Sequence, residues 1–337
     1  PPYPYRKEPM PLSKPSPELR HIALRLAVTA AALVIALAGI SRIVLPKHNQ
    51  DAHGPNNYEA AHGIFAETEN SVDLLFLGDS ETYCAITPLE LWHNHGIASY
   101  ISATGAQRLP LTLSMLNRVL GCQRPKVVML ETNCLFRAVT PGTVARQAAN
   151  DALPVLEYHN RWKTLRPDDL TAAPFSIGTA DFKGYRLKTG ISAADDSSYM
   201  TPTMDSESIR SLNRWYLEQI ADVCRSHDIK LVLVSTPSTV NWNMKRHNCV
   251  QQLAGELDVD YIDLNTGKNR AQIDWSTDTF DGGDHLNLQG AQKATAKLGE
   301  LLQDRYYLPD HSGESAYRSW DEAYARYERV VNEGAAS

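Results

Sequence analysis

The stretch VDLLFLGDSETYCAITP, residues 72–88, decides the fold. Its first half runs without polar/apolar alternation, which marks a parallel strand covered on both faces. The run ends in Gly78, Asp79 and Ser80: a glycine that permits a tight turn, an acid and a hydroxyl. In open parallel sheets, ligands gather outside the carboxyl ends of the strands. Ser80 is therefore placed where chemistry is expected. A serine is a weak nucleophile until a base takes its proton, so the rest of the chain has to supply that base.

Working outward, SYISATG (99–105), KVVMLETN (126–133), IKLVLVSTP (229–237) and VDYIDLN (259–265) read as four further strands. Helical patterns separate them: PLELWHNHG, LPLTLSMLNRVLG, SESIRSLNRWYLEQIADVCRSHD, HNCVQQLAGELD and, after the last strand, LNLQGAQKATAKLGELLQDRY. Strands alternating with helices predict an α/β protein with a five-stranded parallel sheet and helices on both faces. Residues 138–204, rich in Pro and polar side chains, read as an insertion or lid within a domain spanning 72–308. Residues 309–337 read as a partly helical tail.

Upstream, residues 1–21 are Pro-rich and basic and predict a disordered tail. Residues 22–45 are apolar on all sides, with Arg25 and Arg42 able to snorkel. That length matches the roughly 20 residues a bilayer crossing needs. Arg6, Lys7, Lys14 and Arg20 precede it, so the N-terminus is expected in the cytoplasm and the domain outside it. A cleaved signal peptide fits less well, because the apolar run is long and Arg42 follows it. Residues 46–71 read as a polar linker.

The composition is 43% hydrophobic and 21% charged, with net charge −6, which argues against nucleic acid as a partner. Neither the five cysteines nor any His/Asp/Glu group shows metal-ligand spacing, and no glycine-rich phosphate loop is present, so no metal or cofactor is expected. Cys224 and Cys249 flank a strand and could pair in an exported chain. A buried free thiol is the commoner state for each.

Each strand end then offers one polar group. After the second strand comes Gly105, whose N–H can approach a substrate closely. After the third comes Asn133, an amide donor suited to a developing oxyanion. The loop DTFDGGDHLNLQG before the last helix carries His285, with Asp281 and Asp284 beside it as candidates to orient the imidazole. Neighbours in extended backbone point apart, whereas a residue one turn away reaches back, which favours Asp281. Singly these are weak signs: a strand-end serine is commonly a helix N-cap, and a loop histidine is commonly solvated. Their order along successive strand ends gives them weight. Arg108, His247 and Trp242 follow as candidate substrate contacts. Cys84 reads as a small buried hydrophobe.

This order of Gly-Asp-Ser, Gly105, Asn133 and an Asp/His loop resembles the SGNH (GDSL-type) hydrolase superfamily over about residues 72–302. The resemblance implies a three-layer α/β/α sandwich of SGNH-hydrolase (flavodoxin-like) type. It implies Ser80 as nucleophile, His285 as general base, and an oxyanion hole from the N–H groups of Ser80 and Gly105 with the Asn133 amide. The DHLNxxGAxK ending and the membrane helix look similar to a bacterial envelope branch that aids teichoic-acid D-alanylation and alginate acetylation beside membrane-bound O-acyltransferases. Two departures stand out. Glu131-Thr132-Asn133-Cys134 replaces the usual Gly-x-Asn-Asp, and the usual acid position is Gly282.

The expectation is a single-pass protein of the bacterial cell membrane. It would act as a serine esterase or O-acyltransferase on an acyl ester of a cell-envelope glycan or polymer. The alternative is a non-catalytic envelope assembly factor that binds glycan or an O-acyltransferase. A lipid hydrolase is favoured only by the anchor.

Overall fold

The computed structural model describes residues 16–178 and 182–335. Helix α1 (Pro17–Val44) begins five residues before the expected anchor, because Ser16 caps it by accepting from Leu19 N–H and Pro17 opens it. Most of the expected tail, residues 1–15, lies outside the described residues. By length and composition α1 can cross a membrane: its most apolar window has mean hydropathy 2.2 and none of it is buried.

Residues 46–71, expected to be a linker, are instead folded onto the domain. They form α2 (Tyr58–His62) flanked by short 3-10 turns. Tyr58, Ala61, His62 and Ile64 are buried. Asn57 Nδ2 donates to the carbonyls of Ala103 and Gly184, tying this segment to the sheet and to the insertion.

The sheet follows. Strands β1 (Leu74–Gly78), β2 (Ser99–Ala103), β3 (Val127–Glu131), β4 (Lys230–Ser235) and β5 (Asp260–Asp263) pair in parallel in the order β2-β1-β3-β4-β5. β1, β2 and β3 are buried throughout. Their unbroken apolar character follows from helices covering both faces. Between β1 and β2 run α3 (Ser80–Ala85) and α4 (Pro88–His95); between β2 and β3, α5 (Leu109–Val119). The insertion supplies α6 (Pro141–Ala152) and α7 (Val155–Tyr158), and α8 (Ser211–Ser226) leads into β4. The next helices are α9 (Met244–Leu257), α10 (Leu288–Arg305) and α11 (Arg318–Ala335). α5 packs on α8, while α4 packs on α10 and α11, giving the two helical layers.

α8 starts at Ser211 rather than at residue 206 as the pattern suggested; residues 206–210 run extended past α9, where Glu207 N–H donates to the Lys245 carbonyl. In the C-terminal segment Trp320 and Tyr327 are fully buried, so α11 belongs to the core. All five cysteines are free, Cys224 and Cys249 included.

The strand order reverses direction at β1, between β2 and β3. That switch point opens a crevice at the carboxyl ends of the strands. Ser80, Gly105 and Asn133 all stand beside it.

Candidate functional site

Ser80 is the first residue of α3, directly after β1. Gly78 makes the approach possible. At φ +153°, a side chain there would bring a Cβ to 2.2 Å from Thr82 Oγ1 and 2.7 Å from Glu131 Cβ. Asp79, fully buried, caps α3 by accepting from Glu81 N–H at 3.1 Å. Its other oxygen accepts from Asn133 Nδ2 at 3.1 Å and from Arg137 Nε. A buried carboxylate held by a guanidinium and two N–H groups fixes the loop that presents Ser80. The Ser80 hydroxyl is half-buried beside the Tyr83 phenol.

His285 comes from the loop before α10. Its Nδ1 lies 2.7 Å from Asp281 Oδ2, and its backbone N–H donates to Asp281 Oδ1 at 2.8 Å. Asp284 is farther, at 3.7 Å, and its Oδ1 accepts from Asn241 Nδ2. The alternative left open by sequence thus resolves geometrically: Asp281 holds the imidazole. The cause is the Gly282-Gly283 pair at φ +78° and +92°, which turns the chain back so that residue 281 reaches residue 285. A Cβ at position 283 would lie 2.0 Å from Thr239 Oγ1. The other ring nitrogen, Nε2, is buried and has no hydrogen-bond partner among the described residues.

The loop of His285 and the helix of Ser80 lie at one place. α10 packs on α3, and carboxylate oxygens of Glu81 and Asp284 and a His285 ring nitrogen all fall within 4.8 Å of one another. This is the one group of its kind among the described residues that could converge on a cation. Its two acids already share the Asn241 amide, and burial holds Glu81 toward its neutral form, a poor ligand.

The three groups expected as oxyanion donors stand differently from one another. Ser80 N–H opens α3, where no preceding helical turn supplies an acceptor. Asn133 gives one Nδ2 hydrogen to Asp79, and its Oδ1 accepts from Arg246 at 3.1 Å. The second Nδ2 hydrogen has no partner among the described residues. Gly105, expected to contribute its N–H, donates it to the Asn56 carbonyl at 2.7 Å. That is a correction: in this conformation the segment around Asn56 occupies the donor.

Burial, then the charges of Asp79 and Glu131, push Glu81 well above the usual carboxylate range. Glu131 is likewise raised by burial and by Asp79, against the opposing pull of Asn133 N–H on its carboxylate. The Glu-Thr-Asn-Cys departure therefore adds a third buried acid, beside Asp79 and Glu81, behind the Ser80 loop. Burial also pushes the Cys84 thiol far up, which leaves it inert as a nucleophile.

Three expected substrate contacts have other attachments. Arg108 is exposed and donates to the Ala138 carbonyl. His247 Nδ1 lies 2.6 Å from Asp263, which also accepts from Trp242 Nε1 and Tyr261. Both residues thus brace the end of β5, and Trp242 is buried. Sequence reasoning gave no role to Glu81, Arg137, Arg246 or Asn56. Only Glu81, next to Ser80, had a local sign; Asn56, Arg137 and Arg246 meet Gly105, Asp79 and Asn133 through long-range pairings.

No protein-family model matches the chain, and no curated protein matches it. Solved structures do. A lipase/acylhydrolase from Enterococcus faecalis is 14% identical, over 71% of this chain and 99% of that one, with TM-score 0.37. A GDSL-like lipase from Bacteroides thetaiotaomicron is 12% identical, over 68% and 87%, with TM-score 0.34. An acetyl xylan esterase is 16% identical, over 68% and 98%, with TM-score 0.35.

Proposed function

We propose that the chain is a membrane-anchored serine esterase or O-acyltransferase of SGNH type, acting outside the cytoplasm on an acyl ester of a cell-envelope glycan or polymer. One observation carries the reading: an Asp281-oriented His285 whose second nitrogen is buried and unpaired, on the rim that presents Ser80. With Nδ1–H given to Asp281, Nε2 is the basic nitrogen. It takes the Ser80 proton as Oγ attacks the ester carbonyl, and Asp281 stabilises the imidazolium that forms. The tetrahedral oxyanion is received by Ser80 N–H and the unpaired hydrogen of Asn133 Nδ2. Collapse expels the alcohol, protonated by His285, and leaves an acyl-serine. Water then completes hydrolysis; a sugar hydroxyl, perhydroxylated glycans offering many, completes transfer. An anchor of α1 confines this chemistry to the membrane surface, which suits a polymer of the envelope and an O-acyltransferase neighbour.

A second reading is favoured by one observation. Asn56 holds Gly105 N–H, which suits a non-catalytic assembly factor that keeps the fold and binds glycan or an acyltransferase. Pre-steady-state kinetics with p-nitrophenyl acetate on the detergent-solubilised full chain separates the two. The enzyme reading expects a stoichiometric burst that Ser80→Ala abolishes; a folded chain without burst or turnover supports the assembly factor.

A further inference from the structure

A cavity of about 630 Å³ lies away from Ser80. It lies between the C-terminal half of α5, the α6–α7 corner and Leu45, the residue that follows α1. The end of α1 is locked into this corner. Ser41 Oγ accepts from Val155 N–H at 3.1 Å, and the Val44 carbonyl accepts from Arg161 at 2.9 Å. Val44 joins Ala52, Tyr58, Tyr158 and Phe175 in a small separate core. The helix is thus a rigid joint, and the cavity keeps a fixed height relative to it.

That height is informative. The uncharged part of α1 ends at Arg42. Leu45 lies three residues beyond, about 4.5 Å along a helix axis. The headgroup layer on each side of a bilayer is about 5–7 Å deep. A cavity wall at Leu45 therefore stands at headgroup level.

Its chemistry is divided. Apolar walls come from Leu45, Phe65, Pro154 and Phe175. The Arg118 guanidinium sits over the rings of Phe65 and Phe175, at 4.9 and 5.2 Å. The guanidinium meets the Tyr158 phenol and, at 3.4 Å, His62, which is fully buried and held neutral, its pKa lowered to about 3 by burial and then by Arg118 itself. Asp151 and Glu157 also line the cavity. Asp151 Oδ1 accepts from Ser114 and Gln147, and Glu157 Oε1 from Tyr58, each through neutral donors only. Among the described residues neither these acids nor Arg118 forms an ion pair. Arg118 and Glu157 are partly buried without counter-charges, and Asp151 stands exposed at the mouth, so the cavity suits a ligand that brings both signs.

We infer that this cavity binds the headgroup of a zwitterionic aminophospholipid drawn from the adjoining leaflet, its phosphate against Arg118, its ammonium against Asp151 and Glu157, and its first acyl carbons along Phe65, Phe175 and Leu45. The inference rests on α1 crossing the bilayer, as proposed above, and goes beyond it. A primary ammonium fits the two acids better than a quaternary one, because it donates hydrogen bonds. A lipid seated here would hold the domain in one orientation over the membrane surface.

The test uses the full chain in nanodiscs of equal parts dioleoyl phosphatidylethanolamine, phosphatidylcholine and phosphatidylglycerol, followed by gentle detergent release and native mass spectrometry. The expected result is one retained phosphatidylethanolamine per chain. Arg118→Gln should lower that retention about tenfold, the loss of one charge-assisted contact. Asp151→Asn should erase the preference for phosphatidylethanolamine over phosphatidylcholine. Acylation of Ser80 should stay unchanged in both variants, since neither residue touches the catalytic loops. Equal retention by wild type and Arg118→Gln, no retained lipid, or preferred phosphatidylglycerol overturns the inference. Carbonate extraction of native membranes keeps the two readings apart. A chain that stays in the membrane but retains no lipid loses only this inference; a chain that carbonate releases loses the anchor and the lipid site together.

Discussion

Asp281→Asn probes the dyad most sharply. Asp281 uses one oxygen for the ring and the other for the backbone N–H of residue 285, at 2.7 and 2.8 Å. An amide cannot do both: it must turn its NH2 either to Nδ1 or to a backbone donor. Facing its NH2 to Nδ1 moves the ring proton to Nε2, the wrong tautomer for a base. Losing the charge also removes its attraction for the imidazolium. That attraction is about 4 kcal/mol at ~4 Å and an effective dielectric near 20. The Asp281 side chain is 30% exposed, so solvent screening leaves about 2–3 kcal/mol of it. At a factor of ten for each ~1.4 kcal/mol, kcat/KM should fall about 30- to 150-fold. This is less than the ~10⁴-fold loss known for a fully buried triad aspartate. Asp284→Asn, whose oxygen sits 3.7 Å from the ring, should cost less than about threefold, since an exposed pair at that distance contributes little. Steady-state hydrolysis of p-nitrophenyl acetate by each variant gives the comparison. Equal losses in the two variants, or a larger one in Asp284→Asn, would refute the assignment.

Glu81→Gln should stabilise the protein at alkaline pH. Native Glu81 keeps a proton that the unfolded chain releases above the ordinary value of 4.5, so wild-type stability falls as pH climbs from there toward the raised native value. Thermal melts should show the variant gaining on wild type at pH 8 and matching it at pH 4; an equal offset at both would contradict the protonated state. Arg137→Ala strands Asp79, a fully buried carboxylate, and should cost about 3–5 kcal/mol in urea unfolding, with partial recovery when Asp79→Asn is added. Gly283→Ala places a Cβ 2.0 Å from Thr239 Oγ1 at φ +92°; it should lower both melting temperature and activity, and unchanged turnover would show that the loop tolerates reshaping.

The sheet was legible because its buried strands are unbroken apolar runs, a pattern that only two-sided coverage explains. That Ser80, Asn133 and His285 stand at strand and loop ends was legible from the same strand pattern. The choice between Asp281 and Asp284 was open because the sequence pattern does not give the φ of Gly282 and Gly283. Gly105 misled for a different reason. Its partner Asn56 lies in a stretch whose polarity suggested a linker, yet Tyr58, Ala61 and Ile64 bury it against β2 and the insertion. His247 and Trp242 face Asp263, a long-range pairing that carries no local signature, and Arg137 meets Asp79 across 58 positions in the same way.

The most direct measurement is peptide mapping of the full chain after reaction with a fluorophosphonate. A single adduct on Ser80, slowed strongly by His285→Ala and moderately by Asp281→Asn, is the predicted result. A folded protein that carries no adduct, or carries it on another residue, would contradict nucleophilic catalysis at this rim.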